Sequence, residues 1–283
     1  MKLRRRLAFA GLIVVVQTVA AVALTSPSSA ATPALLYVFA GQSNMVGAAT
    51  STAELARIDP TLNAPQDTVR FWGPTEDTPR QWASIQPPTE VQQAYSHMGF
   101  GPEISAATLL SRRHAQSTIG IVKVSRGGTS LASAWNAQNP IGLYPILVGE
   151  VRAAQRRLEE QTSGPVRIAG FFWMQGESDA QFRGMAQYYA ANLETFIGAV
   201  RRDLGAPNLP FVIGRIGEMK DDAGSYGYAA TVRLAERDVA RRTPATYLVS
   251  TDGLERAPNS PVHLSTRGTI DLGRRFVNVT PSL

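Results

Sequence analysis

The sequence predicts an α/β protein in which a mostly parallel sheet of about five strands lies between two helical layers. Two observations carry this. Five short apolar runs occur along the chain: ALLYVFA (34–40), TIGIVKV (118–124), VRIAGFFW (166–173), LPFVIGRI (209–216) and TYLVST (246–251). Each is nearly continuous in apolar character, as a strand covered on both faces must be. Between them lie stretches with a helical period. In 143–160, Leu143, Ile146, Leu147, Val151, Ala154 and Leu158 form one stripe with arginines and glutamates opposite. Residues 181–203 and 228–242 repeat the pattern, and 102–114 opens on a proline, a residue suited to a helix N-terminus. Strands alternating with helices imply parallel pairing, and right-handed crossovers gather the strand C-termini along one edge.

Two segments fall outside this alternation. Residues 59–100 are rich in Pro, Gln and Thr, and 252–264 are polar and punctuated by proline. Long loops in compact domains are usually functional or disordered, and the first is expected to cover one side of a cleft. No composition shift marks a second domain, which leaves 31–283 as a single one.

Residues 1–30 read as a secretory signal peptide, with a basic start, MKLRRR, an apolar stretch over 7–24 and small residues ending at Ala30. The chain is then expected to be exported and free of the membrane after cleavage. Removing Lys2, Arg4, Arg5 and Arg6, with no acid, lowers the formal charge from +6 to +2. That is too little for a nucleic-acid partner, which needs a concentrated basic face. The densest remaining cluster, Arg152, Arg156 and Arg157, reads as the solvated side of a helix. Cysteine is absent, so thiol catalysis, cysteine-held metals and disulfides are excluded.

The strand ends carry the chemistry. Gly41-Gln42-Ser43-Asn44 follows the first strand and Ser125-Arg126-Gly127-Gly128-Thr129-Ser130 the second. Met174-Gln175-Gly176-Glu177-Ser178-Asp179 follows the third, and Asp252-Gly253 with the loop to His263 follows the last. At one edge they supply a hydroxyl, glycine N–H groups, carboxamides, carboxylates and an imidazole, the parts acyl transfer needs. Ser43 read alone could equally cap a helix. Of the three histidines, His114 suits a helix C-terminus, where a cation complements the dipole, and His97 lies in a loop before a helix. His263 is the best placed general base. Glu177, Asp179 and Asp252 are all candidates for the acid that would orient it. Asp179 could instead cap a helix, and Asp252 could shape an Asp-Gly turn. Trp72, Trp82 and Trp135 could form a stacking platform or fill core.

Four stretches, GQSNM (41–45), GGTSLASAW (127–135), QGESD (175–179) and HLSTRGTIDLG (263–273), resemble in order those of the SGNH hydrolases. Within them the chain resembles carbohydrate esterase family six and the related sialate O-acetylesterase-type domains. The resemblance implies a flavodoxin-like three-layer sandwich that removes acetyl groups from sugars through an acetyl-serine, with no metal and no cofactor. It makes Ser43 the nucleophile and His263 the base, with the Ser43 and Gly128 N–H groups and the Gln175 side chain as the oxyanion hole. Gln42, Asn44, His97 and Trp135 are candidate substrate contacts. Family members often carry an aspartate three residues before the histidine, where this chain has Ser260. The glutamate of the QGE stretch takes that part in some relatives, which favours Ser43–His263–Glu177 with Asp252 in reserve. The substrate expected is an acetylated carbohydrate, as for an acetylxylan esterase, although sialate glycans fit the same motifs. Two other readings are a glycan-binding protein with a degraded site, and an esterase or lipase acting on non-sugar acyl esters.

Overall fold

The computed structural model describes residues 33–73, 81–92, 97–219, 225–258, 260 and 262–281. The signal segment expected over 1–30 lies outside them. The five apolar runs form five neighbouring parallel strands: β1 (Ala34–Gly41), β6 (Ile119–Ser125), β7 (Val166–Met174), β8 (Phe211–Gly214) and β9 (Thr246–Val249). Their order across the sheet is β6-β1-β7-β8-β9. Numbered among themselves this is 2-1-3-4-5, the flavodoxin-like order, whose switch point lies between the first and third strands.

The sheet has seven strands, two more than expected. β2 (Gln66–Trp72) runs parallel beside β6, and β3 (Trp82–Ile85) pairs antiparallel with β2 at the edge. Both come from the stretch expected to be a cleft-covering loop. The same stretch also forms β4 (Glu90–Gln92) and β5 (His97–Gly99), paired as a separate two-stranded ribbon. The corrected reading is visible in TVRFW, whose Val69, Phe71 and Trp72 are all buried.

Every residue of β1 is buried, because it has a strand on each side and helices on both faces. Phe171 and Phe172, consecutive on β7, show the two layers, since successive side chains in a strand point to opposite faces. Phe171 meets Phe196 of α6 (Arg183–Asp203), and Phe172 meets Phe276 of α8 (Thr266–Val279). α5 (Leu143–Thr162) shares the first face through Tyr144 on Phe196, and α7 (Ala229–Arg242) packs on α6. α4 (Glu103–Arg113) packs against α8 on the second face. The α5 stripe holds except at Ile146, which is 43% exposed. Glu150, placed on the polar side by its type, is instead buried and accepts from Trp72 Nε1 at 3.0 Å.

Trp72 and Trp82 pack at a tilt of 55° with centroids 5.4 Å apart, and their indole N–H groups are spent on Glu150 and on the Ala154 carbonyl. They fill core between β2, β3 and α5 and are not a sugar platform. His114 ends α4 as expected, but burial and the charges of Arg113 and Arg167 push its pKa down, so the neutral ring is favoured there.

One buried ion pair lies behind the end of β1. Lys123 of β6 and Glu103 of α4 are fully enclosed and joined at 3.0 Å. Lys123 Nζ also donates to the Val46 carbonyl, and Glu103 Oε1 accepts from Gly101 N–H and from the Thr89 hydroxyl. Removing one partner strands a charge in low dielectric, which costs about 3–5 kcal/mol. Lys123→Met should therefore lower the unfolding free energy by about that much. Lys123→Met/Glu103→Gln should recover part of it in chemical denaturation.

Candidate functional site

β1 ends at Gly41, where the backbone turns at φ +152° and a Cβ would lie 2.0 Å from the Met174 carbonyl oxygen of β7. Glycine is required for that approach, and it brings the segments after β1 and β7 together. The chain then enters a single turn of helix, α1 (Ser43–Val46). Ser43 is its first residue and nearly buried, and its N–H and hydroxyl find no acceptor among the described residues. Ser43 caps nothing, since no side chain caps this helix from Gln42 and the Ser43 hydroxyl makes no bond to it.

Asn44 is the hinge of the site. Its Nδ2 donates to Glu177 Oε1 at 2.7 Å and to the Val262 carbonyl at 3.1 Å. Its Oδ1 accepts from Leu264 N–H at 2.9 Å. The residues on both sides of His263 are thereby fastened to the residue next to Ser43, although 218 and 220 positions separate them in sequence. With donors and acceptor all used, and 4% exposed, Asn44 is a brace and not the substrate contact its position suggested.

His263 is half-buried, and burial pushes its imidazole pKa down, which favours the neutral ring. Its Nδ1 lies 3.1 Å from Ser260 Oγ. That hydroxyl also accepts from Val262 N–H at 3.3 Å and from His263 N–H at 3.0 Å. Among the described residues no carboxylate bonds the ring, and both expected acids are engaged elsewhere.

Glu177 Oε1 faces Asn44, while Oε2 is buried with no hydrogen-bond partner among the described residues. Burial raises the Glu177 pKa, against the Asn44 bond and the nearby Arg256 charge, because a carboxylate loses its hydration there. Its direct contact with His263 is replaced by a link through Asn44. Asp252 lies at the sheet edge and pairs with Arg215 and, at 3.0 Å, with Arg233. Those arginines occupy it, so the reserve acid does not meet His263 either. Asp179 accepts from Leu131 N–H at 2.8 Å, Ala132 N–H at 3.1 Å and Gln175 Nε2 at 2.6 Å. It anchors the loop after β6 and does not cap its own helix.

Of the three expected oxyanion donors, two are free. Gly128 N–H has no acceptor among the described residues, and the glycine, at φ +69°, faces open space. Gln175 is different. It is fully buried, and its Nε2 is committed to Gln42 Oε1, the Thr129 carbonyl and Asp179. An amide with two hydrogens and three protein acceptors has none to spare for substrate, so Gln175 belongs to the frame. Gln42 Oε1 likewise accepts from Gln175 and from Ser178 N–H at 3.2 Å, beneath the site. Trp135 is fully enclosed against Trp173, with its N–H on Thr129 Oγ1 at 2.9 Å, and cannot touch substrate. The His97 side chain lies outside the described residues.

Sequence reasoning missed the contribution of Ser260, although Ser-Pro-Val-His carries the signal of a serine hydroxyl bonding N–H groups two and three residues on. It also missed Arg256, which donates to the Val262 carbonyl beside His263 at 3.1 Å. Glu236 of α7 was missed as well. This buried carboxyl accepts from Ile216 N–H at 3.1 Å, and burial followed by the Glu177 charge drives its pKa well up. Among the described residues no group of three or more His, Asp or Glu side chains is arranged to hold a metal ion.

A family model described as carbohydrate esterase, sialic acid-specific acetylesterase matches residues 33–281. A protein of Arabidopsis thaliana named as a probable carbohydrate esterase is 28% identical over 177 residues, which is 62% of this chain and 61% of the plant protein. The match thus spans about three-fifths of that relative. Among solved structures, one of an Arabidopsis thaliana protein has a TM-score of 0.71 at 23% identity, covering 88% of this chain and 98% of that one. NanS has a TM-score of 0.66 at 17% identity, covering 89% and 97%. A carbohydrate acetylesterase of Xanthomonas citri has 0.59 at 19% identity, covering 86% of this chain and 54% of its own. These likenesses show a shared fold. Because the family match runs the whole described length, from residue 33 to 281, the chain belongs to the carbohydrate esterase, sialic acid-specific acetylesterase family.

Proposed function

We propose that the protein is an exported serine esterase that removes O-acetyl groups from carbohydrates. The observation that carries this reading is the Asn44 clamp. It fastens the loop bearing a neutral imidazole to the residue after an unbonded serine hydroxyl, beside two unbonded N–H groups. In this reading the Ser43 hydroxyl attacks the acetyl carbonyl carbon, and His263 takes its proton. The oxyanion receives hydrogen bonds from the Ser43 and Gly128 N–H groups. As the tetrahedral species collapses, the sugar oxygen leaves with the proton from His263. A water then repeats the sequence on the acetyl-serine. Glu177 serves at one remove, by fixing the carboxamide that fixes the histidine loop. The acetylated xylan and sialate substrates of such enzymes are the glycans to test first.

Acetate release from acetylated xylan, an O-acetylated sialoside and p-nitrophenyl acetate should be lost in Ser43→Ala, by about 10³-fold or more. Release that persists in Ser43→Ala would remove the nucleophile assignment. No release by the unaltered protein from any ester would favour a glycan-binding role instead.

The base must be unprotonated to accept the serine proton. Burial sets the His263 pKa below the ordinary value of about 6.5, so kcat/KM should stay level through pH 7 and fall only at more acid pH. A pH profile with its acid limb at 7 or above would contradict the buried, neutral base.

Asn44→Leu leaves Glu177, the Val262 carbonyl and Leu264 N–H without their partner. It should cost about 2–4 kcal/mol of stability. The Leu264 amide should exchange with deuterium faster than in the unaltered protein, with little change for amides in β1.

A further inference from the structure

We propose that Ser260 is the positioning residue of this site: its hydroxyl orients the His263 ring and holds the ring proton on Nε2 at rest. The role rests on the esterase reading, while the tautomer stands on geometry alone. A serine oxygen has two lone pairs and one hydrogen. Val262 N–H and His263 N–H, at 3.3 and 3.0 Å, fill the lone pairs. The remaining hydrogen points to the third neighbour, His263 Nδ1 at 3.1 Å. Nδ1 is then an acceptor, and the neutral ring carries its proton on Nε2.

The arrangement follows from what surrounds the ring. Glu177 is turned to Asn44, and Asp252 is turned to Arg215 and Arg233. Arg256 reaches the backbone beside the ring at the Val262 carbonyl. Among the described residues no charged group bonds the imidazole, and burial is the cause of its lowered pKa. The hydroxyl holds the ring plane by donating to bare Nδ1, and it can accept from Nδ1–H only by giving up one of its two backbone N–H bonds. Unlike a carboxylate, it neither selects the Nδ1–H form needed for a base working through Nε2 nor offsets the imidazolium charge. Ser260 therefore gives this site orientation without electrostatic support and sets a low ceiling on its turnover.

Ser260→Asp tests this cleanly, because an aspartate at that position also accepts the two backbone N–H bonds. Ser260→Asn is its uncharged control, keeping the turn and offering an N–H to Nδ1. With only three histidines in the chain, the His263 ring signals can be identified in nitrogen-15 spectra of the full protein by comparison with His263→Gln. The expected result is an Nε2–H ring in the unaltered protein and in Ser260→Asn. Ser260→Asp should give an Nδ1–H ring with a raised titration midpoint, and kcat on p-nitrophenyl acetate at least about tenfold higher at unchanged KM. The same tautomer and midpoint in all three proteins would overturn the proposal, as would an Nδ1–H ring in the unaltered one. The spectra need no substrate. A tautomer change without acetate release from any of the proteins would keep the geometry and remove the esterase reading instead.

Discussion

The site depends on one constraint: β1 is buried along its whole length, so the polar chain that leaves it must find its hydrogen bonds inside the protein. A buried polar group without a partner costs about 1–3 kcal/mol. The sequence answers with two carboxamides, one on each side of Ser43. Gln42 ties the end of β1 to the turn after β7, through Gln175 and Ser178 N–H. Asn44 ties it to the same turn through Glu177, and to the loop after β9 through Val262 and Leu264. Three strand ends are thus locked to one serine by side chains that are themselves almost fully enclosed.

The lock uses up the acids. Asp179 is spent on the Leu131 and Ala132 N–H groups and on Gln175, which seats the loop carrying Gly128. Glu177 is spent on Asn44. Burial raises both pKa values, against the hydrogen bonds each carboxyl receives. Carboxylates that hold a backbone in place are poor candidates for also holding a charged imidazole. His263 is left with a neutral hydroxyl, and positioning of the histidine is divided between Ser260 at the ring and Asn44 at the backbone.

The sheet was readable from the sequence because its five central strands are covered on both faces, and that covering forces unbroken apolar runs. β2 and β3 were not, because they lie at an edge where Gln66, Asp67 and Arg70 alternate with buried Val69 and Phe71 and dilute the signal. The strand-end motifs told which residues would meet at one edge. They did not tell which way a side chain faces. Gln175, Asn44 and Trp135 have the right types for touching substrate, yet all three are consumed internally by partners 46, 220 and 6 residues away. Ser260 suffered the reverse error. A serine in place of an acid reads as a loss, and only the distances around Oγ show it bonding the ring and two backbone amides together.

In a region this densely bonded, chemistry falls to what is left over. The Ser43 N–H, its hydroxyl and the Gly128 N–H stand outside the network, and the network explains how they can be rigid while unbonded. Ser43 is held between Gln42 and Asn44. Gly128 is exposed, at a φ that a side chain would resist, but the turn beneath it is braced. Thr129 Oγ1 donates to the Arg126 carbonyl at 2.7 Å and accepts from Trp135 Nε1, while Asp179 grips the Leu131 and Ala132 amides. A donor that is fixed by its neighbours and has no partner of its own needs no reorganisation when a charge develops in front of it. Trp135 and Asp179, which cannot reach a substrate, therefore contribute to the site by holding still the residue that can.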